Sequence, residues 1–178
     1  MNPREYLKEL ANVAGRLDKA RIGAVIERVL LARDQEATVW LIGNGGSMAT
    51  AMHFAADLSK TPAKPVRAVS LDNPALLTAI SNDWSYKRTF THPLKWAAVN
   101  DVLIVISGSG NSQNVVDAAL SFRGSVIALL GFEGGELGWR LADEGATVVI
   151  VPSENYGIIE DLHCSILHMV VEALKDNG

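Results

Sequence analysis

The chain has 178 residues, 48% of them hydrophobic, and a formal net charge of −4. This composition predicts a folded domain with a sizeable core and excludes a disordered chain. The Lys and Arg residues are scattered without a basic block, which argues against nucleic acid as a ligand, and the single cysteine excludes an internal disulfide. No apolar stretch approaches the roughly 20 residues that cross a bilayer, and the N-terminus lacks a signal-peptide core, so we expect a cytoplasmic protein without a membrane partner.

Residues 1–35 carry apolar side chains at helical spacing, which predicts a pair of helices with a break at 21–23. The pattern then changes to short runs rich in β-branched residues. Five such runs are predicted to be strands: "TVWLI" (38–42), "VRAVSL" (66–71), "DVLIVI" (101–106), "SVIALL" (125–130) and "TVVIVP" (147–152). Segments of helical length separate and follow them, at 47–60, 74–80, 86–99, 112–122, 135–144 and about 157–175.

The alternation of strands and helices predicts an α/β fold with a parallel sheet. The strand segments are almost continuously apolar, which is typical of strands covered by helices on both faces. No linker long enough to separate a second domain is present, so residues 1–178 are predicted to form one domain.

Two of the turns that follow strands resemble each other: "LIGNGGS" (41–47) and "VISGSGNS" (105–112). Both are expected at carboxyl ends of strands and at helix N-termini, where an α/β sheet binds ligands and where free N–H groups favour an anion. The serines are placed to converge on a small anion such as a phosphate monoester. The glycine spacings of the Walker and Rossmann motifs are absent, and the alternative is a pair of ordinary capped loops.

Histidines and carboxylates recur on two predicted helices. His53 and Asp57 are four residues apart and share a helix face, and Glu160, His163 and His168 lie within a few turns of the last helix. Two histidines with two carboxylates suit either Zn²⁺ binding or acid–base catalysis. Spacing does not choose between the two histidines of the last helix, and each residue alone is equally compatible with a packed or surface position.

Several segments together resemble the sugar isomerase (SIS) domain family, and most of all its phosphoheptose isomerase group. They are "GNGGSMATAMHFAADL" (43–58), "ISNDWSYKRTF" (80–90), "ISGSGNSQNVVDA" (106–118), "LLGFEGGEL" (129–137) and "IEDLHCSILHM" (159–169). The resemblance covers residues 5–175. It implies conversion of sedoheptulose 7-phosphate to D-glycero-D-manno-heptose 7-phosphate, a lipopolysaccharide precursor, through an enediol.

The resemblance also implies a flavodoxin-like fold with a five-stranded parallel sheet, in which residues 1–35 serve assembly of a homotetramer with active sites at subunit interfaces. It assigns Asp57 and His168 as the catalytic pair, and a zinc site to His53, Asp57, Glu160 and His168. The implied substrate- and phosphate-binding residues are Asn44, Gly45, Gly46, Ser47, Asp83, Ser107, Ser109, Ser112 and Glu160.

The chain departs from the family pattern at three positions. Asp57 stands where the family has glutamate, Glu160 where it has glutamine, and Gly108 where it has threonine. A carboxylate at residue 160 adds a charged ligand and makes the four-residue set better suited to a hard metal.

Two alternatives remain at the level of sequence. The bacterial replication-initiator-associating protein is a tetrameric SIS binding module that shares the "HFAA" and "GGEL" segments and lacks the catalytic pair. An isomerase for a different sugar phosphate is the other alternative.

Overall fold

The computed structural model describes residues 1–60, 64–142 and 144–176. Within them lies one parallel sheet of five strands in the order β2-β1-β3-β4-β5. The strands are β1 (Thr38–Gly43), β2 (Arg67–Ser70), β3 (Val102–Ser107), β4 (Ser125–Leu130) and β5 (Thr147–Ile150). This is the doubly wound, flavodoxin-like order, and it confirms the predicted fold class.

Helices cover both faces of the sheet. They are α1 (Pro3–Gly15), α2 (Lys19–Asp34), α3 (Gly46–Lys60), α4 (Pro74–Asp83), α5 (Arg88–Thr91), α6 (Gln113–Ser121), α7 (Gly135–Leu141) and α8 (Tyr156–Asp176), with a 3₁₀ helix at Pro93–Trp96. In the described residues, no helix is long and apolar enough to pass through a membrane.

The sheet separates two hydrophobic cores. On one face, α1, α2, α3 and α8 pack over side chains such as Ile104 of β3. On the other face, α5, α6 and α7 pack over side chains such as Val105. All six residues of β3 are buried, because this central strand is covered on both faces.

The N-terminal helices are present, but the predicted break at 21–23 is wrong. Ile22 and Gly23 lie inside α2. The break falls instead before Asp18, whose carboxylate accepts hydrogen bonds from the backbone N–H groups of Ala20 and Arg21, both at 3.0 Å. An aspartate that satisfies free N–H groups at a helix start outweighs the weak helix-breaking effect of one interior glycine.

The single helix predicted at 86–99 is also wrong. The chain forms the short α5 and then the 3₁₀ helix. Pro93 has no N–H group to bond to the carbonyl of Thr89, so a continuous α-helix cannot form there. The edge strands β2 and β5 are shorter than predicted, with four residues each.

A buried carboxylate ties the starts of the two central strands together. Asp101 precedes β3, and its oxygens accept hydrogen bonds from the backbone N–H of Thr38 and the indole N–H of Trp40 on β1, both at 2.9 Å. The backbone N–H of Ala98 donates a third bond at 2.9 Å. These bonds support the pairing of β1 with β3.

Helix α1 is docked on the last helix by a phenol–carboxylate contact. The Tyr6 hydroxyl donates to Asp161 Oδ2 at 2.7 Å, and this bond to a carboxylate raises the pKa of Tyr6. Arg16 Nη2 donates to the carbonyl of Pro152 at 3.0 Å. These contacts position α8, which carries Glu160 and the predicted catalytic histidine.

Candidate active site

The two serine- and glycine-containing turns lie next to each other at the carboxyl ends of β1 and β3. These strands pair in parallel, and Gly43 at the end of β1 is opposite Ile106. The turns are joined by a reciprocal amide pair: Asn44 Nδ2 donates to Asn114 Oδ1 at 2.9 Å, and Asn114 Nδ2 donates to Asn44 Oδ1 at 3.0 Å. Asn114 is buried, so the pair fixes one turn against the other.

The segment after α4 completes this network. The Tyr86 hydroxyl donates to Asn44 Oδ1 at 2.8 Å, and Asn114 Nδ2 also lies 3.3 Å from Thr89 Oγ1. Sequence reasoning missed Tyr86 and Asn114. The predicted sugar-site residue Asp83 is exposed, and its carboxylate accepts a bond from Asn82 Nδ2 at 2.9 Å.

The second turn brings three of the predicted serines together. Ser107 Oγ accepts from the Gly110 N–H at 3.1 Å, and Ser109 Oγ accepts from the Asn111 N–H at 3.3 Å. Ser112 occupies the N-cap position of α6, and its side chain makes no capping hydrogen bond. Since the first two oxygens act as acceptors, their hydroxyl hydrogens remain for a ligand.

An aromatic side chain explains one departure from the family pattern. A Cβ atom at Gly108 would lie 2.7 Å from Cε1 of Tyr156, the first residue of α8. A threonine at residue 108 is therefore incompatible with this ring position. Tyr156 in turn packs edge-on against Phe132, with ring centroids 5.0 Å apart.

The first turn approaches the last helix at Glu160. A Cβ atom at Gly46 would lie 2.7 Å from Glu160 Oε2 and 2.8 Å from Oε1, so only glycine permits this contact. Gly46 is the first residue of α3, where the helix dipole favours negative charge. The carboxylate of Glu160 therefore occupies the positive end of α3, and Ser47 is buried in the turn beside it.

Further along the same two helices, three of the four predicted metal ligands come together. His53 and His168 lie ring to ring, with centroids 5.3 Å apart and an interplanar angle of 73°. His53 Nε2 is 3.2 Å from Asp57 Oδ2. Helices α3 and α8 thus bring His53 and His168 into contact, although the two are more than a hundred positions apart in the sequence.

A lysine that sequence reasoning missed holds the other oxygen of Asp57. Lys60 Nζ lies 2.7 Å from Asp57 Oδ1. This ion-paired hydrogen bond with Lys60 is the largest cause that lowers the pKa of Asp57, with smaller contributions from His53 and His168. The Asp57 side chain is therefore a carboxylate at neutral pH. The spacing of three residues on one helix is the signal that could have found Lys60.

Cys164 is a further residue that sequence reasoning missed. The ligand atoms of His53, Cys164 and His168 all lie within 4.8 Å of one another. Neither Glu160 nor Asp57 is a member of this cluster, although Asp57 Oδ2 contacts His53. Burial raises the pKa of the Cys164 thiol, and the Asp161 and Asp57 carboxylates raise it further. Imidazole, thiolate and carboxylate are the donor types that Zn²⁺ takes in proteins, so the residues present fit such an ion.

His163, the histidine that spacing left as an equal candidate, lies apart from this cluster. It is fully buried, and its Nε2 is 3.0 Å from the carbonyl oxygen of Leu130. Its Nδ1 has no hydrogen-bond partner among the described residues. Burial lowers the pKa of His163 to about 4, since a charged ring would leave an N–H group without an acceptor in the core.

A cleft of about 960 Å³ opens beside the second turn. Its lining includes Ser109, Tyr156 and Arg16, but neither His53 nor His168. Within one chain, Ser109 of the second turn and the two histidines therefore do not line the same cleft.

Comparison with known proteins gives the class to which this fold and site belong. The sequence profile of the SIS domain matches residues 5–131, and the chain belongs to this family. Among its relatives, the protein named "Probable phosphoheptose isomerase" from Thermoplasma acidophilum is 34% identical, with 99% of each chain covered. A phosphoheptose isomerase from Mycobacterium bovis is 36% identical over 89% of this chain and 82% of the relative.

The solved structures point the same way. The phosphoheptose isomerase from Neisseria gonorrhoeae superposes with a TM-score of 0.90 and 29% identity, covering 98% of this chain and 97% of the other. A phosphoheptose isomerase from Francisella tularensis has the same fold at 24% identity, with a TM-score of 0.90 over 97% and 96% of the two chains. Within the SIS family, the chain thus belongs to the phosphoheptose isomerase group.

The buried His163 predicts a loss of stability in acid. The unfolded chain takes up a proton at this histidine below a pH of about 6.5, whereas the folded chain takes it up only near pH 4. Between these values the unfolded state binds more protons, so the free energy of unfolding falls by about 3 kcal/mol as the pH is lowered. Urea unfolding at a series of pH values measures this fall.

His163→Gln keeps an amide donor for the Leu130 carbonyl and removes the titrating ring, so its stability should depend less on pH over this range. His92→Gln serves as the matched control, and its free energy of unfolding should depend on pH as that of the unmodified protein does. Equal slopes in all three proteins would contradict the assignment.

Proposed function

We propose that this chain interconverts sedoheptulose 7-phosphate and D-glycero-D-manno-heptose 7-phosphate, and so supplies a precursor of lipopolysaccharide. The observation that carries the proposal is the cluster of His53, Asp57 and His168 between α3 and α8. Support also comes from the names of relatives 34% and 36% identical over most of the chain. A phosphorylated sugar is charged and does not cross a bilayer unaided, so we place the reaction in the cytoplasm.

The phosphate of the substrate is proposed to bind at the second turn. Ser107, Ser109 and Ser112 offer hydroxyl hydrogens there, next to the N-terminus of α6. At the first turn, the positive end of α3 already lies against the Glu160 carboxylate. Charge therefore favours the second turn for the phosphate and leaves Asn44, Gly45, Gly46 and Ser47 for the neutral hydroxyl groups of the sugar.

The chemical step requires two proton transfers. A base removes a proton from C1 beside the C2 carbonyl and gives an enediol, and the proton then returns at C2 while another proton moves between the two oxygens. We assign Asp57 as the base, because it is the carboxylate that contacts His53 at this site and it is ionised at neutral pH. His168 serves the oxygens as the acid, and the reverse assignment is the alternative.

A divalent metal, with Zn²⁺ the best match, is proposed at the same cluster. His53 and His168 would supply imidazole nitrogens and Asp57 a carboxylate oxygen. When bound, the ion would polarise the substrate oxygens and stabilise the negative charge of the enediolate. Glu160 belongs to the set implied by the family resemblance and stays a prediction, since its carboxylate lies against Gly46.

We propose a homotetramer with active sites completed by neighbouring subunits. Met52 and Met169, which neighbour the two histidines in sequence, are exposed in the single chain, as is Leu7 on α1. Exposed apolar side chains beside a polar site are typical of a surface that a partner covers. A partner subunit would also enclose the histidine cluster, which does not line the cleft beside Ser109 in its own chain.

The phosphate assignment predicts a loss of binding when hydroxyls are removed. Ser109→Ala combined with Ser112→Ala should weaken heptulose phosphate binding by about 2 to 4 kcal/mol, because two hydrogen bonds to a charged group are lost. Isothermal calorimetry measures this. Ser121→Ala, at the far end of α6, is the matched control. Unchanged affinity in the double variant would mean that this turn is only a structural loop.

The enediol mechanism predicts solvent exchange. In deuterated water, the heptose product should carry deuterium at C2, because the base exchanges its proton with solvent. NMR or mass spectrometry detects it. His168→Gln should abolish turnover while keeping phosphate-dependent binding, and His92→Gln should remain active. If the unmodified protein neither converts nor exchanges any heptulose, hexulose or pentulose phosphate, with or without added metal, it is a non-catalytic binding module.

The assembly predicts a mass of four chains by light scattering at micromolar concentration. Leu7→Glu, which replaces an exposed apolar side chain of α1 by a charge, should shift the protein to smaller species. Arg123→Glu, a charge reversal beyond α6, should leave the mass unchanged. A stable monomer of the unmodified chain would contradict both the tetramer and the active site at its interfaces.

A further inference from the structure

The cysteine on α8 lies between the two residues that the family resemblance assigns to the site. Cys164 is one helical turn after Glu160 and one turn before His168, so all three share a face of the helix. Its Sγ atom is 3.9 Å from His168 Nδ1. The functions assigned above use the histidines and carboxylates and give this thiol no part.

The distances within the cluster are close to those of a metal site. Metal–ligand bonds of about 2.0–2.3 Å at tetrahedral angles place the donor atoms about 3.3–3.6 Å apart. The donor atoms of His53, Cys164 and His168 already lie within 4.8 Å of one another. Both imidazoles are exposed, so rotation about their side-chain bonds can close the remaining distance.

An ordinary packing role explains the thiol less well. The cysteines most often found as small core residues are fully buried among apolar side chains. Cys164 is only partly buried, and its sulfur lies against an imidazole of the site. It is also the only cysteine in the sequence, so a disulfide partner within the chain does not exist.

We propose that Cys164 is a metal ligand, and that His53, Cys164 and His168 hold a zinc-class ion through two imidazole nitrogens and one thiolate. The thiol gives up its proton to solvent as the sulfur–metal bond forms. Asp57 or a substrate oxygen then completes the coordination. This inference rests on the proposed metal-assisted isomerase and changes the ligand set that the family resemblance implies.

A thiolate ligand changes which ions the site selects. Sulfur prefers soft or borderline ions such as Zn²⁺, Cd²⁺ and Co²⁺, whereas an all-carboxylate and imidazole set also admits Mg²⁺ and Mn²⁺. The proposal therefore predicts that Zn²⁺ binds and that millimolar Mg²⁺ does not compete with it.

The test uses the metal alone and needs no turnover. Reduced, metal-free protein is titrated with Co²⁺ and read by absorption, because a cobalt–thiolate bond gives a near-ultraviolet charge-transfer band. The unmodified protein should show the band, Cys164→Ser should lose it, and Glu160→Gln should keep it. Zinc affinity, measured by competition with a chromogenic chelator, should fall by at least about tenfold in Cys164→Ser. Ser165→Ala, the neighbouring change, is the matched control.

A second measurement uses the thiol itself. Since the chain has one cysteine, a thiol reagent reports on Cys164 alone. Zn²⁺ should slow its modification, and thermal unfolding should show that Cys164→Ser and Cys164→Ala fold as the unmodified protein does.

The outcomes separate this inference from the proposed function. A cobalt complex without the band, or equal zinc affinity with and without the thiol, overturns Cys164 as a ligand while the isomerase stands. Failure of the unmodified protein to bind Co²⁺, Zn²⁺ or Cd²⁺ overturns it as well. Isomerase activity is scored separately by deuterium exchange, so its absence alone would refute the enzyme and leave the metal result intact.

Discussion

The pairing of β1 with β3 is the constraint on which the rest of the site depends. The chain leaves β1, forms β2 on one side and then crosses to form β3 on the other, so two neighbouring strands send their following helices to opposite faces. In sheets of this order, ligands bind in the gap between those helices, outside the carboxyl ends of the strands. Asp101 fixes the strands at their starts, and the Asn44–Asn114 amide pair fixes the turns at their ends. The position of the proposed ligand therefore follows from hydrogen bonds at both ends of one strand pair.

Helix α3 then organises the charges. Its first residue meets the Glu160 carboxylate, and near its last turn Lys60 holds Asp57. A negative charge near the N-terminus and a positive charge near the C-terminus both interact favourably with the helix dipole and stabilise the helix. The same arrangement that stabilises the helix keeps one carboxylate ionised beside two imidazoles. In this way stability and the proposed chemistry use the same side chains.

The strands, the serine turns and most helices could be predicted from sequence, because each depends on local composition. Two helix boundaries were predicted wrongly although local signals for them were present. The capping Asp18 marks the break in the N-terminal pair, and Pro93 marks the end of α5. In both cases the prediction gave more weight to the apolar periodicity. The site was predictable only in part. That α3 and α8 would place His53 against His168 depends on packing between distant segments, and so does the burial of His163. Cys164 and Lys60 lie at helical spacing from predicted site residues. Many residues share such spacing, so only their contacts in the structure identify these two as part of the site.

The spacing of the site residues along α3 and α8 has a geometric consequence. Gly46 and His53 are seven residues apart on one helix, and Glu160 and His168 are eight apart on the other, which corresponds to about 10 and 12 Å of helix. The first turn and the imidazole pair are thus held at a fixed spacing by two helical segments of nearly equal length. This spacing sets how far the proposed sugar-binding turn lies from the imidazole pair, and a sugar that contacts both must span it. Inserting one residue between these positions in either helix would rotate its histidine by about 100° around the helix axis and separate the imidazole pair.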